Sequence, residues 1–433
     1  MTYAEAVQFL YGLRLFGAKF GLENTFKLAA LAGNPQDRLR FIHVAGTNGK
    51  GSTCAMLESI YRASGLRVGL FTSPHLRSFR ERIQINRQWV AEMEVVRLVE
   101  ELQPWLKQFP AGHHPTFFEA VTVMALRFFA EQKCDLVIWE TGLGGRLDAT
   151  NIVRPLASVI TNIALDHEQW LGDTIEKIAA EKAGIIKPET PVVTSADDPG
   201  ALAVIEKTAR EKNARMFKIE QASRFFGAGE TPALPLLGDH QRLNAALALA
   251  TVQALQGKIP VNGVTIRAGL ETVNWPGRLQ LVTRTSGQKI LLDGAHNAAG
   301  ALALAGALEK HFGGRERTLI LGVLQDKDWR QICDTLAPLA SKIYTVPVAS
   351  DRTADKEELA MACRRANASA KVLACDSVAA AMGKASPDDF VAVAGSLYLV
   401  GEALELLGLS PSGRDERALN DWSAPVRPEG ISI

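Results

Sequence analysis

The sequence predicts an α/β protein of two units, each built on a mostly parallel sheet. Three observations predict it. Short apolar, β-branched runs alternate with segments of helical apolar spacing almost throughout the chain, the pattern of strand–helix–strand crossovers. The alternation breaks at the polar stretch TRTSGQ (283–288) and then restarts. The length, 433 residues, exceeds one domain of ordinary size.

In the first unit, RFIHVAG (40–46), RVGLFTS (67–73), CDLVIWETG (134–142) and ASVITNI (157–163) read as buried strands. The stretch from Ser52 to Ser64 and PTFFEAVTVMALRFFAEQ (115–132) have helical periodicity. DTIEKIAAEKAG (173–184) reads as a helix opened by a capping box of Asp173 and Glu176 and closed at Gly184. DHQRLNAALALATVQAL (239–255) is another helix. Beyond the break, KILLDG (289–294), RTLILGVL, KIYTVPV, KVLACD and DFVAVAGS are the strands of a smaller Rossmann-like α/β unit. The predicted boundaries are 1–283, 284–409 and a tail over 410–433, rich in Pro, Ser and charge and expected to pack poorly.

Composition narrows the function. The chain is 47% hydrophobic and 22% charged, ordinary for a globular protein. With 48 basic and 47 acidic residues its net charge is +1, which gives no reason to expect a nucleic-acid or membrane partner. The five cysteines form no CxxC, so reduced and mostly buried thiols are expected. No run of about 18 apolar residues occurs, and the amphipathic N-terminus lacks a signal-peptide pattern. A cytoplasmic monomer is the expectation.

HVAGTNGKGST (43–53) joins the first strand to a helix through glycines. That is the setting of a phosphate loop: backbone N–H groups and a helix N-terminus face the anion, and a lysine adds a mobile cation. The first unit therefore reads as P-loop ATPase-like. Gly46, Thr47, Asn48, Gly49, Lys50, Gly51 and Ser52 are the candidate phosphate binders. The loop departs from GxxxxGK[ST], because Gly51 separates Lys50 from Ser52. The bland alternative is a glycine-rich turn without a ligand.

Ligands of open parallel sheets bind beyond the carboxyl ends of strands. Ser73, Glu140 and His167 stand at such places, and together they suit one or more magnesium ions, although histidine is an unusual magnesium ligand. Singly, such a histidine is more often structural, and a terminal glutamate is as often a cap. Asp148, in the glycine-dense ETGLGGRLDATN (140–151), is either a contact to a polar ring or a turn former. Lys182 sits in a helix, where most lysines are merely solvated.

HVAGTNGKGST, LFTSPHL, WETGLGGRLDATN, ITNIALDHEQWLGDTIEKIAAEKAGIIKP, WPGRLQ, LLDGAHN and AVAGSLYLVGE together resemble the folylpolyglutamate synthases and dihydrofolate synthases, ATP-dependent amide-bond ligases of the Mur ligase superfamily. The resemblance runs from about residue 3 to residue 407. It implies ATP as cosubstrate and Mg2+ as cofactor. It implies phosphate binding by the loop, nucleotide contacts from Asn244, Arg278 and Asp293, and metal binding by Ser73, Glu140, His167 and a carbamylated Lys182. It gives Lys50, Lys182 and His296 catalytic parts, His296 lying by the phosphates or the glutamate. Asp148, Thr116, Phe117 and Phe118 would enclose a pterin, with the FGLENT loop (20–25). The implied reaction phosphorylates a carboxylate of dihydropteroate or of a reduced folate, and L-glutamate then attacks the acyl phosphate. Polyglutamylation alone, another carboxylate substrate, or a nucleotide-binding switch without ligase activity are the competing expectations.

Overall fold

A computed structural model describes residues 1–16, 21–110, 113–220, 233–410 and 416. Two sheets form its frame. The strands of the first are β1 (Phe41–Ala45), β2 (Val68–Phe71), β3 (Ile83–Ile85), β4 (Gln88–Trp89), β5 (Leu136–Glu140), β6 (Ala157–Ile160), β7 (Val192–Thr194) and β8 (Met216–Lys218). Their order is β4-β3-β2-β5-β1-β6-β7-β8, parallel except for the β2–β3–β4 meander. The second sheet runs β13 (Lys371–Ala374), β12 (Lys342–Thr345), β11 (Thr318–Leu321), β14 (Phe390–Ala394), β10 (Lys289–Leu292), β9 (Gln280–Thr283), and only β9 is antiparallel. The α/β class and both sets of predicted strands are therefore present.

In the first sheet β1 is flanked by β5 and β6, so the chain leaves it in one direction toward β2 and later returns on the other side. That crevice is where a parallel sheet opens to ligands. β1, β2 and β5 are buried at every position, as strands covered by helices on both faces must be. Trp139 is fully buried and stacks on Phe71 at 4.4 Å, worth about 0.5–1.5 kcal/mol beyond its buried area. The helix Lys50–Ala63 follows β1 and packs on Gly263–Glu271, where a β-carbon on Gly269 would lie 2.5 Å from Ile60 Cα. All five cysteines are free and buried. Among the described residues no helix is long and apolar enough to cross a membrane.

Three expectations change. The strand 280–283, assigned to the first unit, pairs with β10 and belongs to the second sheet, so the break between units precedes it. The helix Ile175–Ala183 is capped by Thr174, whose hydroxyl accepts from Lys177 N, while Asp173 pairs with the Lys177 ammonium. The tail lies outside the described residues except for Ser410 and Glu416. Glu416 is buried, and its carboxylate accepts from Tyr3 Oη (2.9 Å) and Ser78 Oγ (3.1 Å), which departs from a poorly packed extension.

Candidate active site

Every residue named above for phosphate, nucleotide, metal and catalysis, with Thr116, Phe117, Phe118 and Asp148, lines one cavity of about 350 Å³ between the two sheets; of the FGLENT segment Gly21 lines it and residues 22–25 do not. Phe20 of the FGLENT segment is outside the described residues.

The phosphate loop is pinned to the chain that leaves β6. Thr47 N donates to Asn162 O (2.9 Å), Asn48 N to Asn162 Oδ1 (2.7 Å) and Thr161 Oγ1 to Asn48 O (2.6 Å). Its glycines are sterically required. A β-carbon on Gly46 would fall 1.7 Å from Thr161 Oγ1, and one on Gly49 (φ +85°) 2.5 Å from Asn244 Oδ1. Gly51, the departure noted in the sequence, faces the Trp275 indole, which a β-carbon would approach to 3.0 Å. The helix begins at Lys50, two residues earlier than its periodicity indicates, so Ser52 lies in the first turn. Lys50 Nζ donates to Gly46 O (3.0 Å) and Thr47 O (3.1 Å). Ser52 Oγ is buried without a hydrogen-bond partner, which costs free energy unless a ligand completes it.

Glu140, at the end of β5, accepts from Ser73 N (3.0 Å). Burial pushes its carboxyl up to about 7, opposed by Lys50 and the Ser73 N–H. Lys182 Nζ donates to Gly46 O (2.8 Å), the carbonyl that Lys50 also uses. Burial and the neighbouring Lys50 bring its ammonium down to about 7. Ser52, Ser73 and Glu140 offer the hard oxygen donors magnesium prefers, and the orphaned Ser52 hydroxyl fits such an ion. Among the described residues, however, no three His, Cys, Asp or Glu side chains gather as a metal cluster. His167 Nε2 instead accepts from Lys327 Nζ (3.2 Å), so as placed it offers no lone pair to a metal. Burial, with Lys327, brings its ring down to about 3.

That lysine belongs to the second unit and was not singled out in the sequence. Lys327 also pairs with Asp166 at 2.6 Å, both side chains less than a tenth exposed. Burial alone would raise the Asp166 carboxyl, but Lys327, His167 and His296 hold it well below the usual range. Asn297 Nδ2 donates to Asp166 Oδ2 (2.9 Å) and to Asn48 Oδ1 (3.0 Å) of the phosphate loop, while Asn297 Oδ1 caps the helix Ala298–Phe312. His296 Nδ1 donates to Gly294 O (2.7 Å), which leaves the Nε2 lone pair for the cavity; burial and Lys327 lower the ring to about 4. Asp293 holds Leu279 N (2.8 Å) and Ala295 N (2.9 Å), fixing the loop of the half-buried Arg278. No local pattern marks Asp166 or Lys327: their partnership spans 161 positions.

At the other end, Thr116 and Glu119 form a reciprocal cap on the helix Phe117–Glu131, and Thr25 Oγ1 donates to Glu119 (3.2 Å). Phe118 lies under Gly142, where a β-carbon would meet its ring at 2.5 Å, and the Arg82 guanidinium covers Phe117 at 5.3 Å. Asp148 is engaged by its own loop: Oδ2 accepts from Gly142 N (3.0 Å) and Leu143 N (2.8 Å), Oδ1 from Thr150 N (3.0 Å) and the Thr150 hydroxyl. A carboxylate has about four acceptor positions, so these donors fill it.

Both units are similar to known proteins. The Mur ligase middle domain matches residues 44–252, and the Mur ligase glutamate ligase domain matches 277–397. A Bacillus subtilis dihydrofolate synthase/folylpolyglutamate synthase is 36% identical over 93% of this chain and 98% of its own length. The solved Mycobacterium tuberculosis folylpolyglutamate synthase complexed with ADP superposes with a TM-score of 0.86 at 32% identity, covering 95% of this chain and 100% of that one. The Escherichia coli FolC structure in complex with DHPP and ADP gives 0.83 at 31% identity, covering 94% and 98%.

Proposed function

The chain belongs to the Mur ligase family, among the dihydrofolate synthase/folylpolyglutamate synthases, and on that footing we propose that it ligates L-glutamate both to dihydropteroate and to the glutamate tail of reduced folates, consuming ATP. The observation that carries this reading is the cavity itself. The phosphate loop of the first unit and the LLDGAHN loop of the second face one space, whose far end is closed by Phe117, Phe118 and the Asp148 loop.

A carboxylate is a poor acyl donor, since oxide would have to leave. Transfer of the γ-phosphate converts it to an acyl phosphate, which the amine of glutamate opens to an amide and inorganic phosphate. The first step brings two anions together. Lys50, now resting on Gly46 O and Thr47 O, exchanges those carbonyls for phosphate oxygens, and Arg278 adds charge from the other unit. Ser52, Ser73 and Glu140 would hold magnesium, which when bound neutralises phosphate charge. Lys182 carries a depressed ammonium, so a large share is neutral near pH 7; only the neutral amine adds carbon dioxide, losing a proton to give a carbamate. His296 orients the glutamate amine through Nε2. A ring lowered to about 4 is a poor store for a proton at neutral pH, so its part is orientation. Asp166 and Lys327 close the two units around the substrates.

The test is phosphate release with ATP, magnesium and L-glutamate, adding dihydropteroate in one reaction and tetrahydrofolate in another. Turnover in both supports the reading; turnover in one restricts it to that activity. Silence in both, with ATP still bound, would overturn it and point to another carboxylate or a switch. Lys50→Ala is expected to abolish glutamate-dependent ADP release with the fold intact by circular dichroism, and unchanged turnover would refute its role.

A further inference from the structure

The buried His43 has no part in the chemistry above. It is the one ionisable side chain in β1, between Ile42 and Val44, and it is 0% exposed. A buried imidazole in a strand otherwise made of Phe, Ile, Val and Ala is costly unless its polar atoms are used. One is used: Nε2 lies 2.9 Å from Thr150 Oγ1. The other, Nδ1, is buried without a partner.

The proton on this line can be assigned. The Thr150 hydroxyl lies against Asp148 Oδ1, a carboxylate oxygen, and must donate to it. Its oxygen is then left to accept, so His43 donates through Nε2–H, and the orphaned Nδ1 is the unprotonated nitrogen. From β1 outward the line runs His43, Thr150, Asp148, and ends at the N–H groups of Gly142 and Leu143. Trp139 Nε1 fixes the same turn from β5 by donating to Thr150 O (3.0 Å). Asp148 and Gly142 line the cavity, and Gly142 sits on the Phe118 ring. Three residues after His43, the same strand reaches Gly46 and the phosphate loop.

We propose that His43 and Thr150 are positioning residues that hold the Asp148 loop in register against the folate end of the cavity, anchoring it to the strand that carries the phosphate loop. The proposal rests on the reading of that end as the pteridine subsite. Without the His43 donor the Thr150 oxygen is left unsatisfied, the Asp148 loop loosens, and binding of the ring system suffers. The phosphate loop with Lys50 stays where it is, held by Asn162 and Thr161. The signature is therefore a split between substrates.

The experiment compares KM for tetrahydrofolate and for ATP in His43→Leu, His43→Gln, Thr150→Val, Thr150→Ser and Asp148→Asn, each checked for its unfolding temperature. His43→Leu and Thr150→Val are expected to raise KM for the folate by about ten-fold, the scale of a lost buried hydrogen bond, with KM for ATP within about two-fold. His43→Gln, whose amide can donate near the same place, and Thr150→Ser, which keeps the hydroxyl, should recover most of it. If Asp148→Asn raises the folate KM while the His43 and Thr150 variants leave it alone, the positioning line is refuted and the subsite stands. An Asp148→Asn enzyme with unchanged folate KM refutes the subsite itself. Equal rises for both substrates without rescue would reduce His43 to a general core residue and also overturn the proposal. Should His43→Leu not fold, the Thr150→Val and Thr150→Ser pair decides alone.

Discussion

At the scale of the residue, the phosphate loop is governed by space as much as by charge. Gly46 and Gly49 stand where another group already occupies the place of a β-carbon, and at Gly51 the Trp275 indole leaves it only a tight fit. At Gly49 two causes coincide, a left-handed backbone and the Asn244 amide. Gly49→Ala is therefore expected to add strain of about 1–3 kcal/mol and to displace Asn244, with KM for ATP raised at least about ten-fold and a modest loss of unfolding temperature. Titration of ATP binding by calorimetry checks it; unaltered affinity would show that the loop accommodates a methyl group. The Trp275 indole covers the turn at Gly51, the residue that separates Lys50 from Ser52.

At the scale of elements, a buried ion pair links the two units beside the candidate site. Lys327 reaches across to Asp166, and Asn297 joins the cap of its helix to Asn48 of the phosphate loop. Removing one member of a buried pair strands the other charge. Lys327→Met is expected to cost about 3–5 kcal/mol and to suppress turnover, whereas Lys327→Met with Asp166→Asn recovers much of the stability without the activity. Denaturant midpoints of the two single variants and the double measure this; additive losses would mean that the pair contributes no coupling.

For the whole molecule, the buried and half-buried histidines set the response to acid. Burial brings His43 and His167 down to about 3, His296 to about 4, and His75 well below its ordinary 6.5. Each is neutral in the folded protein and protonated in the unfolded chain between those values and 6.5. The unfolded state then binds more protons, so stability falls as pH drops from about 6.5 toward 4, by about 1.4 kcal/mol per pH unit for each proton taken up. Glu140 opposes this. Burial raises its carboxyl to about 7, so folding takes up its proton between 4.5 and 7. Glu58, Glu81 and Asp148, also raised by burial, oppose it too, while a fifth histidine, His240, is lowered and adds to it; five histidines against four carboxyls leave net proton uptake on unfolding. Unfolding temperatures between pH 7 and pH 4.5 should fall steadily, and a flat profile would contradict the burial of these rings.

The sequence alone determined the alternation of strand and helix, the phosphate loop after β1, the helix caps to within a residue or two, and the family. These depend on side-chain period, glycine placement and short motifs, all local to the chain. Tertiary structure alone decided that β9 joins the second sheet, that Lys327 takes Asp166 and His167, that Asp148 is filled by its own loop, and that Glu416 is buried beside Tyr3. The reason is physical. A backbone conformation is set by neighbours a few positions away. The partner of a buried charge is set by which distant segments the packing of two sheets brings together, and no run of neighbouring residues encodes that distance.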